Sequence, residues 1–206
     1  MNQTIPLVRI VDDDASFLTA VARLLGASGF AVKTFASAED FLSGPEPGVP
    51  GCVIIDLQMP VMNGLDLQEA LAKEGCALPV IFLSGTGDIP STVQAMRRGA
   101  EDFLTKTAPK EELLDAVSRA IGRDLRERTG RSRQDDLAAR FATLTPRERE
   151  VLKHVLLGKL NKQIAYDLGI NERTVKLHRT SIKAKLDVHT TADLTKLWME
   201  FGGFEV

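Results

Sequence analysis

Cysteine is scarce in this chain: Cys52 and Cys76 are its whole complement, and both stand in apolar or strand-edge surroundings. That excludes a disulfide framework, and two buried free thiols in a reducing cytoplasm are expected. Long apolar runs are missing as well, since none approaches the roughly 18 residues of a membrane helix. The opening Met1-Asn2-Gln3-Thr4-Ile5-Pro6 lacks the basic and apolar regions of a signal peptide, so a cytoplasmic, non-membrane protein is expected. The net charge is small, −2 over 206 residues, but it is unevenly spread. Residues 1–125 carry 10 Lys/Arg against 17 Asp/Glu, residues 126–142 carry 5 against 3, and residues 143–206 carry 11 against 8. An acidic half joined to a mildly basic one points to different partners for each. The basic excess alone does not establish a nucleic-acid partner. The length accommodates one large or two small domains.

Five short apolar runs organise the first half. Val8-Arg9-Ile10-Val11 runs into Asp12-Asp13-Asp14, Cys52-Val53-Ile54-Ile55 into Asp56, and Val80-Ile81-Phe82-Leu83 into Ser84. Asp102-Phe103-Leu104-Thr105 runs into Lys106, while Ala31-Val32-Lys33-Thr34-Phe35 ends in no such group. Helical spacings fall between these runs, at Phe17, Val21, Leu24 and Leu25, at Phe41 and Leu42, at Leu65, Leu67 and Leu71, at Val93 and Met96, and at Leu113, Val117 and Ile121. Strands alternating with helices predict a parallel sheet covered on both faces.

Residues 122–142 are charged and poor in apolar side chains, compatible with either a flexible linker or an extension of the preceding helix, with Gly130 a possible division between two helical pieces. A second domain is predicted to start at Leu144. Thr145-Pro146-Arg147-Glu148 has the composition of a capping box with Pro in the first turn. Asn161 and Asn171 are read as caps of the next two helices, and a fourth follows Thr190 or Thr191. Four helices in about 60 residues make a small all-α domain with a tight helix-turn-helix at its centre.

Ligands of an open parallel sheet bind beyond the carboxyl ends of its strands. Four strands would therefore deliver carboxylates, a hydroxyl and an ammonium to one place. Asp12, Asp13 and Asp56 brought together repel, and a hard divalent cation such as Mg²⁺ resolves that repulsion. Lys106 offers a compact positive charge to a carboxylate or a phosphoryl oxygen, and Ser84 a hydroxyl donor. Asp56, alone at its strand end, is the best nucleophile for an aspartyl phosphate. Each group by itself has a bland reading, a helix cap for an Asp or a solvated Lys. Their coincidence at one sheet edge argues for chemistry.

Val11-Asp12-Asp13-Asp14, Asp56-Leu57-Gln58-Met59-Pro60 with Asn63-Gly64, Ser84-Gly85 and Phe103-Leu104-Thr105-Lys106 resemble the receiver domain of two-component response regulators, over residues 7 to about 121. The resemblance implies a doubly wound five-stranded sheet of order 2-1-3-4-5. It implies a histidine kinase that phosphorylates Asp56, with Mg²⁺ held by Asp12, Asp13, Asp56 and the backbone carbonyl of Gln58. Ser84 and Phe103 are similar to the family's switch pair, and Lys106 to its phosphoryl-stabilising lysine. Gln58 and Thr86 occupy the positions that tune dephosphorylation. One departure stands out: Thr107 follows the lysine where the family has Pro after a cis bond. A cis bond before a non-proline residue costs about 2.5–4 kcal/mol. The expectation is thus a trans bond with a displaced Lys106, or a strained cis bond.

On the third helix of the second domain, Val175, His178, Ile182 and Leu186 fall on one face, and Arg173, Lys176, Leu177, Thr180 and Lys183 on the other. The first set is read as core. The second can offer Lys donors to bases or phosphates, Thr180 to either, and Leu177 to a thymine methyl. Leu144–Leu152, Asn161–Ala165 and Glu172–His178 resemble the LuxR-type DNA-binding domain, which implies a helix-turn-helix whose second helix enters the major groove. Lys176, Leu177 and Thr180 match its base-facing positions. Lys162, Thr174 and Arg179 suit the DNA backbone, and Lys183 completes the basic face.

The whole chain resembles the NarL/FixJ class, and Gly87–Met96 with the long linker leans towards its FixJ-like branch. The divisions implied are a receiver at 1–121, a charged linker at 122–142 and a DNA-binding domain at 143–206. The protein expected is not an enzyme but a phosphorylation-dependent transcription factor. It would pair through residues 91–121 when phosphorylated, bind two-fold half-sites of double-stranded DNA, and be open to RNA polymerase as a further partner. Two rivals remain at this level, a constitutive DNA-binding regulator and a Mg²⁺-dependent aspartyl phosphotransferase.

Overall fold

The computed structural model describes residues 5–44, 48–85 and 89–202. Two compact units divide at Thr129 and Gly130. The first alternates β1 (Leu7–Val11), α1 (Ala15–Ala27), β2 (Ala31–Phe35), α2 (Ala38–Ser43), β3 (Gly51–Asp56), α3 (Gly64–Lys73), β4 (Val80–Ser84), α4 (Ile89–Arg97) and β5 (Asp102–Thr105). It then enters α5 (Lys110–Ala142), which contains all of residues 122–142. Gly130 lies inside that helix and does not divide it. The sheet is parallel with order β2-β1-β3-β4-β5, as the resemblance implies.

Every residue of β3 and β4 is buried, the behaviour of strands covered on both faces. Alternation along the strands sorts the core into two layers. Val8, Ile10, Cys52, Ile54, Ile81 and Leu83 face α1 and α5, meeting Leu18, Leu25, Val117 and Ile121. Val11, Val53, Ile55, Val80 and Phe82 face the other side, meeting Phe41, Leu67, Leu71 and Ala95. Chain reversal at β1 puts the carboxyl ends of β1 and β3 side by side, with Val11 in register with Ile55. Asp12 and Asp56 follow directly. Gly64 permits α3 to start hard against this edge, because a Cβ there would stand 2.4 Å from the Asp56 carbonyl oxygen and 3.0 Å from the Phe82 ring.

At the opposite edge, buried polar groups tie α5 to the sheet. Asp124 is fully buried and accepts from the Gly51 N–H and from Arg128 Nε, each at 2.8 Å. Gly51 has φ +148°, and a Cβ would sit 1.9 Å from the Leu7 carbonyl oxygen. Arg9, buried within β1, donates to the Leu7 and Val49 carbonyls.

The second unit contains α6 (Pro146–Leu156), α7 (Asn161–Leu168), α8 (Glu172–Leu186) and α9 (Thr191–Glu200) around Val151, Leu152, Val155, Ile164, Val175, Ile182, Leu186 and Leu194. Thr145 and Glu148 form the predicted capping box. Asn171 caps α8, accepting from the Arg173 N–H at 2.8 Å, and Thr190 caps α9. The assignment of Asn161 as a cap is corrected. Leu160 occupies that position, its N–H donates to Gln163 Oε1 at 2.8 Å, and Asn161 is the first helical residue. Gly169 at φ +62° ends α7 and turns the chain into α8. Among the described residues no helix is long and apolar enough to cross a membrane.

Candidate functional site

In the first unit the structure gathers the predicted acidic residues at one strand edge. Asp12, Asp13 and Asp56 each offer a carboxylate oxygen, all within 4.8 Å of one another. Asp12 and Asp56 are buried and Asp13 is exposed. Lys106, brought by β5, bridges the two buried carboxylates, with Nζ 2.7 Å from Asp12 Oδ2 and 2.9 Å from Asp56 Oδ2. The same ammonium lies 4.5 Å from the centroid of the Phe17 ring, a cation–π contact that the sequence reading did not include. Its signal was the position of Phe17 in the first turn after Asp14, which caps α1 by accepting from the Ser16 and Phe17 N–H groups.

The electrostatics follow from this crowding. Burial pushes the Asp12 carboxyl above its ordinary value and the Asp56 charge adds to that push, against hydrogen bonds from Lys106 and the Asp14 N–H. Burial acts to lower Lys106, but its hydrogen bonds to Asp12 and Asp56 outweigh it and hold the ammonium above its usual range. One lysine thus offsets part of three negative charges, and the remainder favours a cation.

The other predicted groups lie around this centre. The Gln58 N–H donates to Asp56 Oδ1 at 3.3 Å, and its side chain is exposed. Ser84 is fully buried at the end of β4, and its carbonyl accepts from the Lys106 N–H at 2.8 Å. Phe103 is half-buried, its ring centroid 6.0 Å from that of Phe82. Thr86 lies outside the described residues. The Lys106–Thr107 bond is trans, yet Lys106 reaches both carboxylates, so neither expected perturbation by Thr107 occurs. Thr107 turns its hydroxyl to Thr105 Oγ1 at 3.2 Å, and the chain reaches the site without a proline.

In the second unit the two faces of α8 separate as predicted. Val175, Ile182 and Leu186 are buried, and His178 is half-buried. Lys176, Leu177 and Thr180 are exposed, Leu177 at 64 %. Lys176 makes an ion pair with Glu172 at 3.5 Å, and Thr180 Oγ1 donates to the Lys176 carbonyl. Lys162 is exposed on α7 and Thr174 half-buried at the start of α8. Two predicted contacts are already engaged within the unit. Lys183 Nζ donates to the His189 carbonyl at 2.8 Å. Arg179 donates to Asn161 Oδ1 at 3.1 Å and to Thr191 Oγ1 at 3.3 Å, linking the starts of α7 and α9 to α8.

Glu148 has a role beyond its cap. It is 4 % exposed and accepts from Lys185 Nζ at 2.7 Å, Ser181 Oγ at 2.6 Å and the Thr145 N–H at 2.8 Å. Burial alone would raise its carboxyl; these donors overcome it and bring the pKa down to about 2. The network fastens α6 to α8, and the local capping signal gave no sign of the longer-range partners.

Comparison with known proteins agrees with both halves. Residues 8–118 match the response regulator receiver domain, and residues 142–198 match the bacterial regulatory proteins of the luxR family. The response regulator protein TodT of Pseudomonas putida is 41% identical over 197 residues, covering 96% of this chain and 87% of the relative. The transcriptional regulatory protein FixJ of Rhizobium meliloti is 38% identical, covering 96% of each. A solved structure of the response regulator StyR superimposes with TM-score 0.91 at 42% identity, over 95% of this chain and 99% of that one. A receiver implies a histidine kinase partner and a LuxR-type domain implies DNA, in a class of regulators rather than enzymes. The chain belongs to the NarL/FixJ group of response-regulator transcription factors.

Proposed function

We propose that Asp56 accepts a phosphoryl group from a histidine kinase and that this switches dimerisation and DNA binding. The observation that carries the reading is the Lys106 bridge across Asp12 and Asp56, beside a third carboxylate, on a chain that also presents an exposed basic helix face. The donor set suits Mg²⁺: all hard oxygens, too many negative charges for one lysine, and one exposed member, Asp13, facing solvent. Asp12, Asp13, Asp56 and the Gln58 carbonyl would hold the ion, which would supply positive charge to offset the carboxylates and the incoming phosphoryl group. Asp56 Oδ2 then attacks phosphorus, and the P–N bond to the kinase histidine breaks with its electron pair returning to the imidazole. Lys106 releases Asp56 to pair with the new phosphoryl oxygens, Ser84 donates to another, and Phe103 follows Ser84. Gln58 and Thr86 set access of water to the product.

The working division is a receiver at 1–121, a linker at 122–142 and a DNA-binding domain at 143–206. Pairing through α4, β5 and the first turns of α5 would present two copies of α8 to two-fold half-sites in cytoplasmic DNA, with RNA polymerase recruited there. Lys176, Leu177 and Thr180 read bases, while Lys162, Thr174, Arg179 and Lys183 attend to the backbone. The test is solution mass by light scattering, with Mg²⁺, before and after beryllofluoride. A monomer that becomes a dimer, with Asp56→Asn unresponsive, supports the switch. Equal DNA binding by both proteins under all conditions would sink it and leave a constitutive regulator.

A further inference from the structure

Four contacts close a ring at the acidic edge of the sheet, and one of them is aromatic. The Asp14 N–H donates to Asp12 Oδ1 at 2.9 Å, and Asp14 Oδ1 accepts from the Phe17 N–H at 3.1 Å. Lys106 Nζ lies over the Phe17 ring, 4.5 Å from its centroid, and returns to Asp12 Oδ2 at 2.7 Å. Phe17 is the third residue of α1, where a capping box places Glu or Gln to accept from the backbone N–H of the cap. That N–H belongs to Asp14 and already serves Asp12, so the position is open to another use. An acid there would also suit the positive end of the helix, yet the first turn of α1 holds none. Leucine would fill the same place against the core that α1 and α5 share, but only an aromatic ring also attracts a cation. Lys106 Nζ already points donors at Asp12 Oδ2 and Asp56 Oδ2, and the ring is a third partner of the same nitrogen.

We propose that Phe17 is a positioning residue of this site. Its ring holds the Lys106 ammonium on the Asp12–Asp56 pair, so that a metal ion must draw the ammonium from the ring as well as from the carboxylates. The inference rests on the reading of Asp12, Asp13 and Asp56 as a Mg²⁺ site. Phe17 has no side-chain atom that ligates a metal, and it acts through Lys106. The ion takes oxygens that Lys106 holds, so every contact that keeps the ammonium in place subtracts from the affinity of the ion. The hold is electrostatic, between the negative face of the ring and the charge above it. That separates it from packing, because fluorine on the ring drains the negative face and leaves the shape nearly unchanged. Weakening the ring should therefore tighten Mg²⁺ binding, although Phe17 lies outside the ligand set.

The test places 4-fluorophenylalanine or 3,4,5-trifluorophenylalanine at position 17 of the full-length protein by site-specific incorporation, with Phe17→Leu beside them. Calorimetry reads the Kd for Mg²⁺. The place of the ammonium is read separately in metal-free buffer, from the upfield ring-current shift of the Lys106 ε-methylene protons, assigned by their absence in Lys106→Met. The parent should show that shift. Mg²⁺ should bind about two- to tenfold more tightly to the trifluoro and leucine proteins than to the parent, with the monofluoro protein between them. Unchanged thermal melts verify the fold of the fluorinated proteins, which carry the test even where leucine disturbs the start of α1. Equal Kd values for the parent and both fluorinated proteins would overturn the proposal. So would Mg²⁺ binding that weakens as fluorine is added, or a parent without the ring-current shift. A parent that shows the shift but binds no Mg²⁺ would overturn the metal reading of the site, and this proposal with it.

Discussion

Lys106 and Asp12 stand 2.7 Å apart across the mouth of the sheet, and the same ammonium holds Asp56 at 2.9 Å. A metal ion held as proposed would compete with Lys106 for the same two carboxylates. Lys106→Met should lower stability in metal-free buffer by about 1–3 kcal/mol, because it leaves a buried carboxylate pair without its donor. Mg²⁺ should then restore more stability to the variant than it adds to the parent, since ligand-linked stabilisation grows with affinity. Thermal melts with EDTA and with Mg²⁺ check both halves. Equal Mg²⁺ stabilisation of the two proteins would show that Lys106 does not face the ion's site.

Glu148 gives the second unit an acid-sensitive fastening. Its folded pKa of about 2 lies below the ordinary 4.5, so its contribution is complete above the unfolded value and lost as pH falls from about 4.5 towards 2. Glu148→Gln should cost about 2 kcal/mol at pH 7 and much less near pH 3. Trp198 fluorescence during urea unfolding follows this unit specifically. A cost that does not shrink with acid would place the effect in packing rather than in the carboxylate.

These two sites mark where the sequence was readable. Cys52–Ile55 and Val80–Leu83 read as strands because burial on both faces demands unbroken apolar runs, Val8–Val11 because it is apolar at all but Arg9, and the chemistry at their ends sat where strand ends must put it. Lys106 is 50 residues from Asp56, yet both were legible because each follows a strand of one sheet. Asp124 was not. Its N–H partner Gly51 is 73 residues away, and an Asp in a charged helical stretch resembles any solvated residue. Arg9 was likewise hidden inside a strand pattern, with carbonyl acceptors that carry no side-chain signal. Asn161 was misread for a related reason. A preferred capping residue stood one position inside the helix, where its oxygen serves Arg179 instead.

Val61 is 96 % exposed at φ +66°, in the loop between β3 and α3. A β-branched residue in the left-handed region costs roughly 1–2 kcal/mol. Val61→Gly should relieve that strain and lose part of the gain to the greater freedom of the unfolded chain. The net expectation is a small rise in the melting temperature of the first unit. A fall of several degrees would mean the valine makes a contact that offsets its backbone strain.

Gly130 sits in the exposed middle of α5, and a Cβ there would meet no atom within 4 Å. Gly130→Ala should therefore stabilise the helix by about 0.5–1 kcal/mol, read by circular dichroism during thermal unfolding. If the unphosphorylated protein must bend at this point to mask its DNA-binding half, the same substitution should raise DNA affinity without beryllofluoride. A stiffer helix with unchanged DNA binding would separate the helix from the switch.

Lys176 and Arg179 lie three residues apart on α8, and the structure gives them different work. Lys176 is exposed with one weak i−4 partner, Glu172, so its removal should leave the fold intact. Lys176→Ala is expected to weaken binding to the cognate operator by about 1–3 kcal/mol. Arg179 binds Asn161 and Thr191 and so holds the starts of α7 and α9. Arg179→Ala should lower the melting temperature of the second unit, and lose DNA affinity partly through that loosening. Gel-shift titration beside Trp198-monitored melting separates the two. A Lys176→Ala protein with full affinity for its operator would remove that residue from the interface. An Arg179→Ala protein that melts like the parent but binds DNA weakly would return Arg179 to a direct phosphate contact.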